Sequence, residues 1–213
     1  MLMTEPHGRV IILNGTSSSG KSTVAQELQN ILPGYTLHTG IDLFIQMVPD
    51  DFLVLSDGIQ PAAAEGLLWV TTSFGTRVTE FRLGPRAVQL KESMYRSALA
   101  MASTGFNVIV DDVIVDDRVL EAICRLMAGE AYFVGIQCPK EEAIRREIER
   151  GNRFPGLVDT QFDLVHRHGL YDVSVDTSTN TPAECARAIR ELLSEHRSPA
   201  ALRSLEAMLT EKG

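Results

Sequence analysis

Residues 10–31 constrain this chain more than any other stretch. Val10-Ile11-Ile12-Leu13 is an unbroken apolar run, and Val24, Leu28 and Ile31 then recur at helical spacing until Pro33-Gly34. The run predicts a central strand buried on both faces, and the repeat predicts a helix stopped by proline and glycine. Between them, Gly15-Thr16-Ser17-Ser18-Ser19-Gly20-Lys21-Ser22 matches GxxxxGK[ST] at every fixed position, in the strand–loop–helix order the pattern needs. Glycine and small serines let successive backbone N–H groups turn inward around phosphates, at the positive end of a helix beginning near Lys21. Lys21 can reach the β- and γ-phosphates, and the Ser22 hydroxyl can ligate Mg²⁺. The expected ATP-binding residues are therefore Gly15, Thr16, Ser17, Ser18, Ser19, Gly20, Lys21, Ser22 and Thr23.

The rest of the chain alternates β-branched runs with helical patterns. This predicts an α/β phosphate-loop kinase fold, a mostly parallel sheet with helices on both faces, in a single domain over residues 1–213. Further strands are expected at Tyr35–Thr39, Asn107–Asp111, Ala131–Gln137 and Tyr171–Asp176. Two helix starts are marked, one by the capping box of Thr181-Pro182-Ala183-Glu184 and one by Pro139-Lys140-Glu141-Glu142. Residues 50–84 interrupt the alternation. Leu67–Ser73 and Arg77–Leu83 read as two strands around Phe74-Gly75-Thr76, a hairpin cap over the site, the alternative being a hairpin that only extends the sheet or an oligomer contact. After a break at His196-Arg197-Ser198-Pro199, Leu202, Leu205 and Leu209 form an apolar stripe in a tail over about 197–213. That stripe suits a docking helix, a homo-oligomer contact or a frayed end, and the sequence does not choose.

What is missing narrows the chemistry. No NKxD guanine motif follows a later strand, and one phosphate loop on about 200 residues fits a small-molecule kinase better than a motor or transporter ATPase. The formal net charge of -8 argues against a general affinity for nucleic acid or anionic membrane. No apolar run is long enough to span a bilayer and no h-region opens the chain, so a cytoplasmic protein is expected. Cys124, Cys138 and Cys185 are widely spaced and show no CxxC pattern, which suits small buried residues rather than disulfides or zinc.

Three groups of residues can carry the transfer. Asp42, in Gly40-Ile41-Asp42 just past the second strand, lies where open α/β sheets place ligands. A carboxylate there can take the proton of an attacking hydroxyl, and the alternative is an N-cap for a helix beginning at Leu43. Asp111 and Asp112 end the run Val108-Ile109-Val110, and neighbouring strand residues face opposite ways, so one of them, Asp111 by preference, is expected to serve Mg²⁺. Arg146, Arg150 and Arg153 sit near a glycine- and proline-containing loop, so residues 145–156 read as a lid that closes over the triphosphate. The plain alternative is a solvated face paired with Glu141, Glu142, Glu147 and Glu149, and it accounts well for Arg145. His166 and His168 lack carboxylate or cysteine partners nearby and are expected to pack or hydrogen-bond rather than bind metal.

Taken together, these segments resemble the chloramphenicol phosphotransferase family over about residues 8 to 194. The resemblance rests on Ile11-Ile12-Leu13-Asn14-Gly15 with Ser17-Ser18 and Gly20-Lys21-Ser22, on Gly40-Ile41-Asp42 with Ile45 and Pro49, and on Gly84-Pro85. It continues through Val110-Asp111-Asp112-Val113, Arg150-Gly151-Asn152-Arg153, and His166 with Tyr171-Asp172-Val173 and Val175-Asp176-Thr177. It implies transfer of the γ-phosphoryl of ATP to the primary hydroxyl of chloramphenicol, an antibiotic-resistance activity. It also implies Asp42 as the catalytic base and lid arginines among Arg146, Arg150 and Arg153. The hairpin region looks longer here than in the family, and the tail beyond Glu195 has no clear counterpart. Fold and phosphoryl chemistry therefore carry over better than the acceptor, and the rival to chloramphenicol is a nucleoside, sugar or shikimate-like alcohol on a kinase of the same build. A nucleotide-binding regulatory module without transfer activity is the alternative from another class.

Overall fold

Five parallel strands form the centre of the protein. A computed structural model describes residues 7–49, 53–55, 66–71, 77–151, 154–195 and 198–211. The strands are β1 (Val10–Asn14), β2 (Thr36–Gly40), β6 (Asn107–Asp112), β7 (Ala131–Gln137) and β8 (Val173–Asp176), in the order β2-β6-β1-β7-β8. The first strand thus lies between β6 and β7, and the loop that leaves it opens at the point where the order of connection reverses.

Alternation along β1 explains why it is apolar throughout. Val10 and Ile12 face one way, together with Val108, Val110 and Phe133, into a core completed by Met94, Tyr95, Ile123, Met127, Leu202 and Leu205. Ile11 and Leu13 face the other way, onto Val24, Leu28, Ile189 and Leu193. The first layer comes from α3 (Pro85–Ser103), α4 (Asp117–Met127) and α8 (Ala201–Thr210), the second from α1 (Lys21–Ile31) and α7 (Pro182–Ser194). Three cysteines, Cys124, Cys138 and Cys185, are buried and free. The α7 capping box forms as read from Thr181 and Glu184, and α5 (Lys140–Arg150) starts directly after Pro139.

A second sheet stands apart from the first. It contains β3 (Leu53–Leu55), β4 (Leu67–Thr71) and β5 (Val78–Leu83). The antiparallel β4–β5 pair is the expected hairpin, while the parallel β3–β4 pairing was not anticipated. The expected turn at Phe74-Gly75-Thr76 lies outside the described residues. The tail stripe resolves as a docked helix: Leu202 and Leu205 are buried, and the Asp172 carboxylate accepts the N–H groups of Ala200 and Ala201 at 2.8 and 3.0 Å. The same carboxylate accepts Phe133 N–H at 2.8 Å, so one side chain ties the sheet to the last helix. Among the described residues, no helix is long and apolar enough to cross a membrane.

Candidate active site

The phosphate loop is held by bonds from several parts of the fold, and the strand end before it is tied down as well. Asn14 donates through Nδ2 to Val165 O and to Tyr171 Oη, each at 2.8 Å, and accepts Ile114 N–H at 2.9 Å. Gln161 Oε1 accepts Ser17 N–H at 2.8 Å, and Thr177 Oγ1 donates to Ser19 O at 2.7 Å. Lys21 Nζ bonds the carbonyls of Gly15 and Thr16 at 3.0 and 2.8 Å. Ser18 takes a left-handed conformation, φ 59°, which a residue with a side chain adopts only where the surroundings impose it. The hydroxyls of Ser18 and Ser19 are buried without a hydrogen-bond partner. A concave loop, a lysine, two unpaired hydroxyls and a helix N-terminus together suit the oxygens of a polyphosphate.

The paired aspartates divide between two tasks. Asp111 Oδ2 accepts the Ser22 hydroxyl at 2.5 Å, with Lys21 Nζ 3.9 Å and His38 Nε2 3.8 Å from the carboxylate. Burial pushes its pKa up, but Lys21 and the hydrogen bonds from His38 and Ser22 outweigh this and hold the group below its ordinary value. Two oxygens side by side, one hydroxyl and one carboxylate, suit Mg²⁺, which takes few protein ligands and completes its shell with phosphates and water. Asp112 faces the opposite side of β6 and is spent there. Its oxygens accept Lys91 Nζ at 2.5 Å, Tyr95 Oη at 2.6 Å and Val113 N–H at 2.7 Å. Asp112, the second expected metal ligand, also lines the cleft, but its oxygens are engaged by the buried Lys91 and Tyr95.

Asp42 stands in the first turn of α2 (Ile41–Ile45), whose N-cap is Gly40. The N-cap alternative for Asp42 is excluded by that start, two residues earlier than read. Gly40 is required by the packing, since a Cβ there would lie 2.6 Å from Asp111 O. In register across β2 and β6, Gly40 is paired with Asp111, so Asp42 is fixed two residues beyond the point where the strand meets Asp111. Asp42 lines a cleft of about 660 Å³ together with Lys21, Ser22, His38, Asp111 and Arg146. Ile41, Leu43, Ile45, Phe81 and Leu157 give the same cleft apolar surface.

The arginines expected on a lid are sorted by their partners. Arg145 pairs on the surface with Glu142 and Glu149, as the solvated-face reading had it. Arg146 leans inward: Nε donates to Glu142 at 2.7 Å, and Nη1 and Nη2 donate to the hydroxyl and carbonyl of Thr177 at 3.1 and 2.9 Å. A Cβ on Gly20 would lie 3.6 Å from Arg146 Nη1, which places the guanidinium beside the loop. Arg150 also lines the cleft, and Arg153 lies outside the described residues. Glu147 was misread as part of the solvated face. It is buried, and its oxygens accept Gly156 N–H at 2.8 Å and Val158 N–H at 3.0 Å.

Both histidines are built into the support of the loop. His166 Nδ1 lies 2.6 Å from Tyr171 Oη, and His168 stacks on Phe133 at a centroid distance of 5.1 Å. Burial, with His168 and Lys21 nearby, lowers the pKa of His166 to about 4. Sequence reasoning gave no role to Gln161 or His38. Neither stands in a motif, and only the fold brings α6 (Leu157–Val165) and β2 to the loop.

A family model described as chloramphenicol phosphotransferase-like protein matches residues 8–194. The chain belongs to that family. A Mycobacterium tuberculosis protein, strain H37Rv, named "Putative O-phosphotransferase", is 34% identical over 195 residues, 87% of this chain and 82% of its own length. Among solved structures, the APS kinase of Mycobacterium tuberculosis with AMPPNP and APS superposes with a TM-score of 0.58 at 18% identity, covering 89% of this chain and 99% of that one. Shikimate kinase from Acinetobacter baumannii with shikimate gives 0.57 at 14% identity, covering 90% and 96%. At these identities the superpositions speak for the fold, which is that of phosphate-loop kinases. Family and fold together make the protein a phosphate-loop O-phosphotransferase of the small-molecule kinase type.

Proposed function

We propose that the protein moves the γ-phosphoryl of ATP to a hydroxyl of a small molecule, chloramphenicol first, with Asp42 as general base. The observation that carries this reading is the placement of Asp42 on the cleft that also holds Lys21, Ser22 and Asp111. In the step, the acceptor oxygen attacks the γ-phosphorus, Asp42 takes its proton, and the bond to the β–γ bridging oxygen breaks to release ADP. Lys21 and the loop N–H groups hold the phosphates, while Arg146 and Arg150 offset charge on the transferring group. Ser22 and Asp111 would hold Mg²⁺, which supplies charge neutralisation on the β- and γ-phosphates.

The acceptor is less constrained than the donor. Apolar Ile41, Leu43, Ile45 and Phe81 suit a hydroxyl carried on an uncharged, partly apolar body, as in chloramphenicol. Antibiotic resistance and a cytoplasmic location would follow from that acceptor. The test is mass spectrometry of chloramphenicol, and of a panel of nucleosides, sugars and shikimate, after incubation with Mg²⁺-ATP and the protein. A single added phosphoryl on chloramphenicol is expected. Product from another alcohol alone would keep hydroxyl transfer and remove the antibiotic. Tight ATP binding with no product across the panel would favour the regulatory module.

A further inference from the structure

Gln161 lies in the middle of α6, with its side chain 5% exposed. Its Oε1 accepts Ser17 N–H at 2.8 Å and the Thr16 hydroxyl at 3.4 Å. Ser17 belongs to the run of amides that must face inward if the loop is to hold phosphates. Such a run needs an outside group to fix it, because nothing within five small residues favours one conformation over its neighbours. On this side of the loop that group is the Gln161 amide.

A second buried residue holds Gln161 in place. The first N–H groups of a helix have no partner within it. In α6 two of them, on Gly156 and Val158, are taken by Glu147 from α5, a carboxylate 4% exposed and matched to the positive end of the helix dipole. The turn between the two helices is then pressed against the cap. Val78 N–H donates to Pro155 O at 2.7 Å, and Gly156, at φ +96°, has no room for a Cβ beside Val78 O. The Arg77–Asp159 ion pair closes the same junction. Helix α6 is therefore fixed at its start by a buried carboxylate and by the edge of β5, and carries at its centre the side chain that bonds the loop.

We propose that Gln161 is a positioning residue for the phosphate loop and that Glu147 is the group that holds its helix. This rests on the reading of the loop as a nucleotide site. Removing the Gln161 carbonyl frees the Ser17 amide, so the loop must be ordered by the nucleotide at the expense of affinity.

The test compares the full-length protein with Gln161→Leu, Gln161→Glu and Glu147→Gln. The readouts are the affinity for Mg²⁺ with a non-hydrolysable ATP analogue, the hydrogen-exchange rate of the Ser17 amide, and the melting temperature. For Gln161→Leu, affinity should fall and Ser17 exchange should rise, each by about 10-fold, the loss expected of one amide hydrogen bond. A residue that only packs would lower the melting temperature and leave both readouts unchanged. Gln161→Glu keeps an accepting oxygen, so Ser17 should stay protected while the charge beside the phosphates weakens binding beyond the leucine variant. Glu147→Gln turns one accepting oxygen into a donor and should shift both readouts in the leucine direction, and it carries the test if the leucine variant does not fold. Affinity within about two-fold of wild type in Gln161→Leu, or unchanged Ser17 exchange, overturns the inference. A wild-type protein that binds no nucleotide would instead defeat the functional reading, and this inference with it.

Discussion

The phosphate half of the cleft and its acceptor half differ in how they are held. On the phosphate side, Gln161 and Thr177 bond Ser17 and Ser19, Lys21 bonds back to Gly15 and Thr16, Ser22 is bonded to Asp111, and Asn14 ties the strand end before the loop to Val165 and Tyr171. On the acceptor side stand a five-residue helix, exposed Leu43 and Met47, and one edge of a separate three-stranded sheet. A triphosphate is the same in every turnover and repays a site built in advance, since ordering done by folding need not be done by the substrate. An acceptor is what distinguishes one kinase of this fold from another, and in the proposed reading it would lie against Ile41, Leu43, Ile45 and Phe81. On the proposed reading, donor chemistry is built into the fold while acceptor choice would rest on those apolar side chains.

The first way to break this comparison is at the beam between the halves. Lys91 and Asp112 form an ion pair that is 2% and 0% exposed, on the strand that also carries Asp111. Lys91→Met would leave a buried, uncompensated carboxylate and should cost about 3–5 kcal/mol in denaturant unfolding. A loss below about 1 kcal/mol would mean that the pair is not structural. Next, Lys21→Ala removes the lysine of the loop and should lower kcat/KM by about 10²–10³-fold with little change in melting temperature. A comparable loss of stability would show the lysine to be a brace for the carbonyls of Gly15 and Thr16 instead.

Two smaller effects sharpen the contrast. Phe81→Ala should raise KM for the acceptor by about 10-fold and leave KM for ATP alone, as expected of an apolar contact on one half only. Steady-state kinetics with each substrate varied would separate the two. For pH, His166 has a pKa near 4 in the fold against 6.5 unfolded, so the unfolded chain binds the extra proton first. Stability from this group is complete above pH 6.5 and is lost as pH falls toward 4. Denaturant midpoints across that window should decline in wild type and flatten in His166→Gln. An identical decline in both would assign the acid limb to other groups.

Much of the phosphate half was legible in the sequence because its signals are local. Strand, loop and helix are contiguous, and the unbroken apolar run Val10–Leu13 needs no partner to be read. The separation of Asp111 from Asp112 followed in outline from strand geometry alone, although Lys91 and Tyr95, which decide where Asp112 goes, lie on a helix about 20 residues away. Gln161 and Glu147 were not legible. Each is an ordinary polar residue in a helical pattern, and its role exists only because Pro155-Gly156 turns one helix back over the loop. The parallel β3–β4 pairing was hidden for the same reason, since such a pairing is made by a connection and not by a turn motif. The tail stripe was visible as apolar, but its docking depends on Asp172, whose two oxygens serve partners on opposite sides of it in the chain.

The most direct test of the central claim is Asp42→Asn, with phosphoryl transfer to the acceptor and affinity for Mg²⁺-nucleotide both measured. Asp42 is exposed and stands on α2 rather than in the phosphate loop, so the account has the substitution act on transfer and not on nucleotide binding. The account predicts a fall in kcat of about 10²–10⁴-fold with nucleotide affinity within about two-fold of wild type. Transfer that continues at the wild-type rate would contradict it and would remove Asp42 as the base.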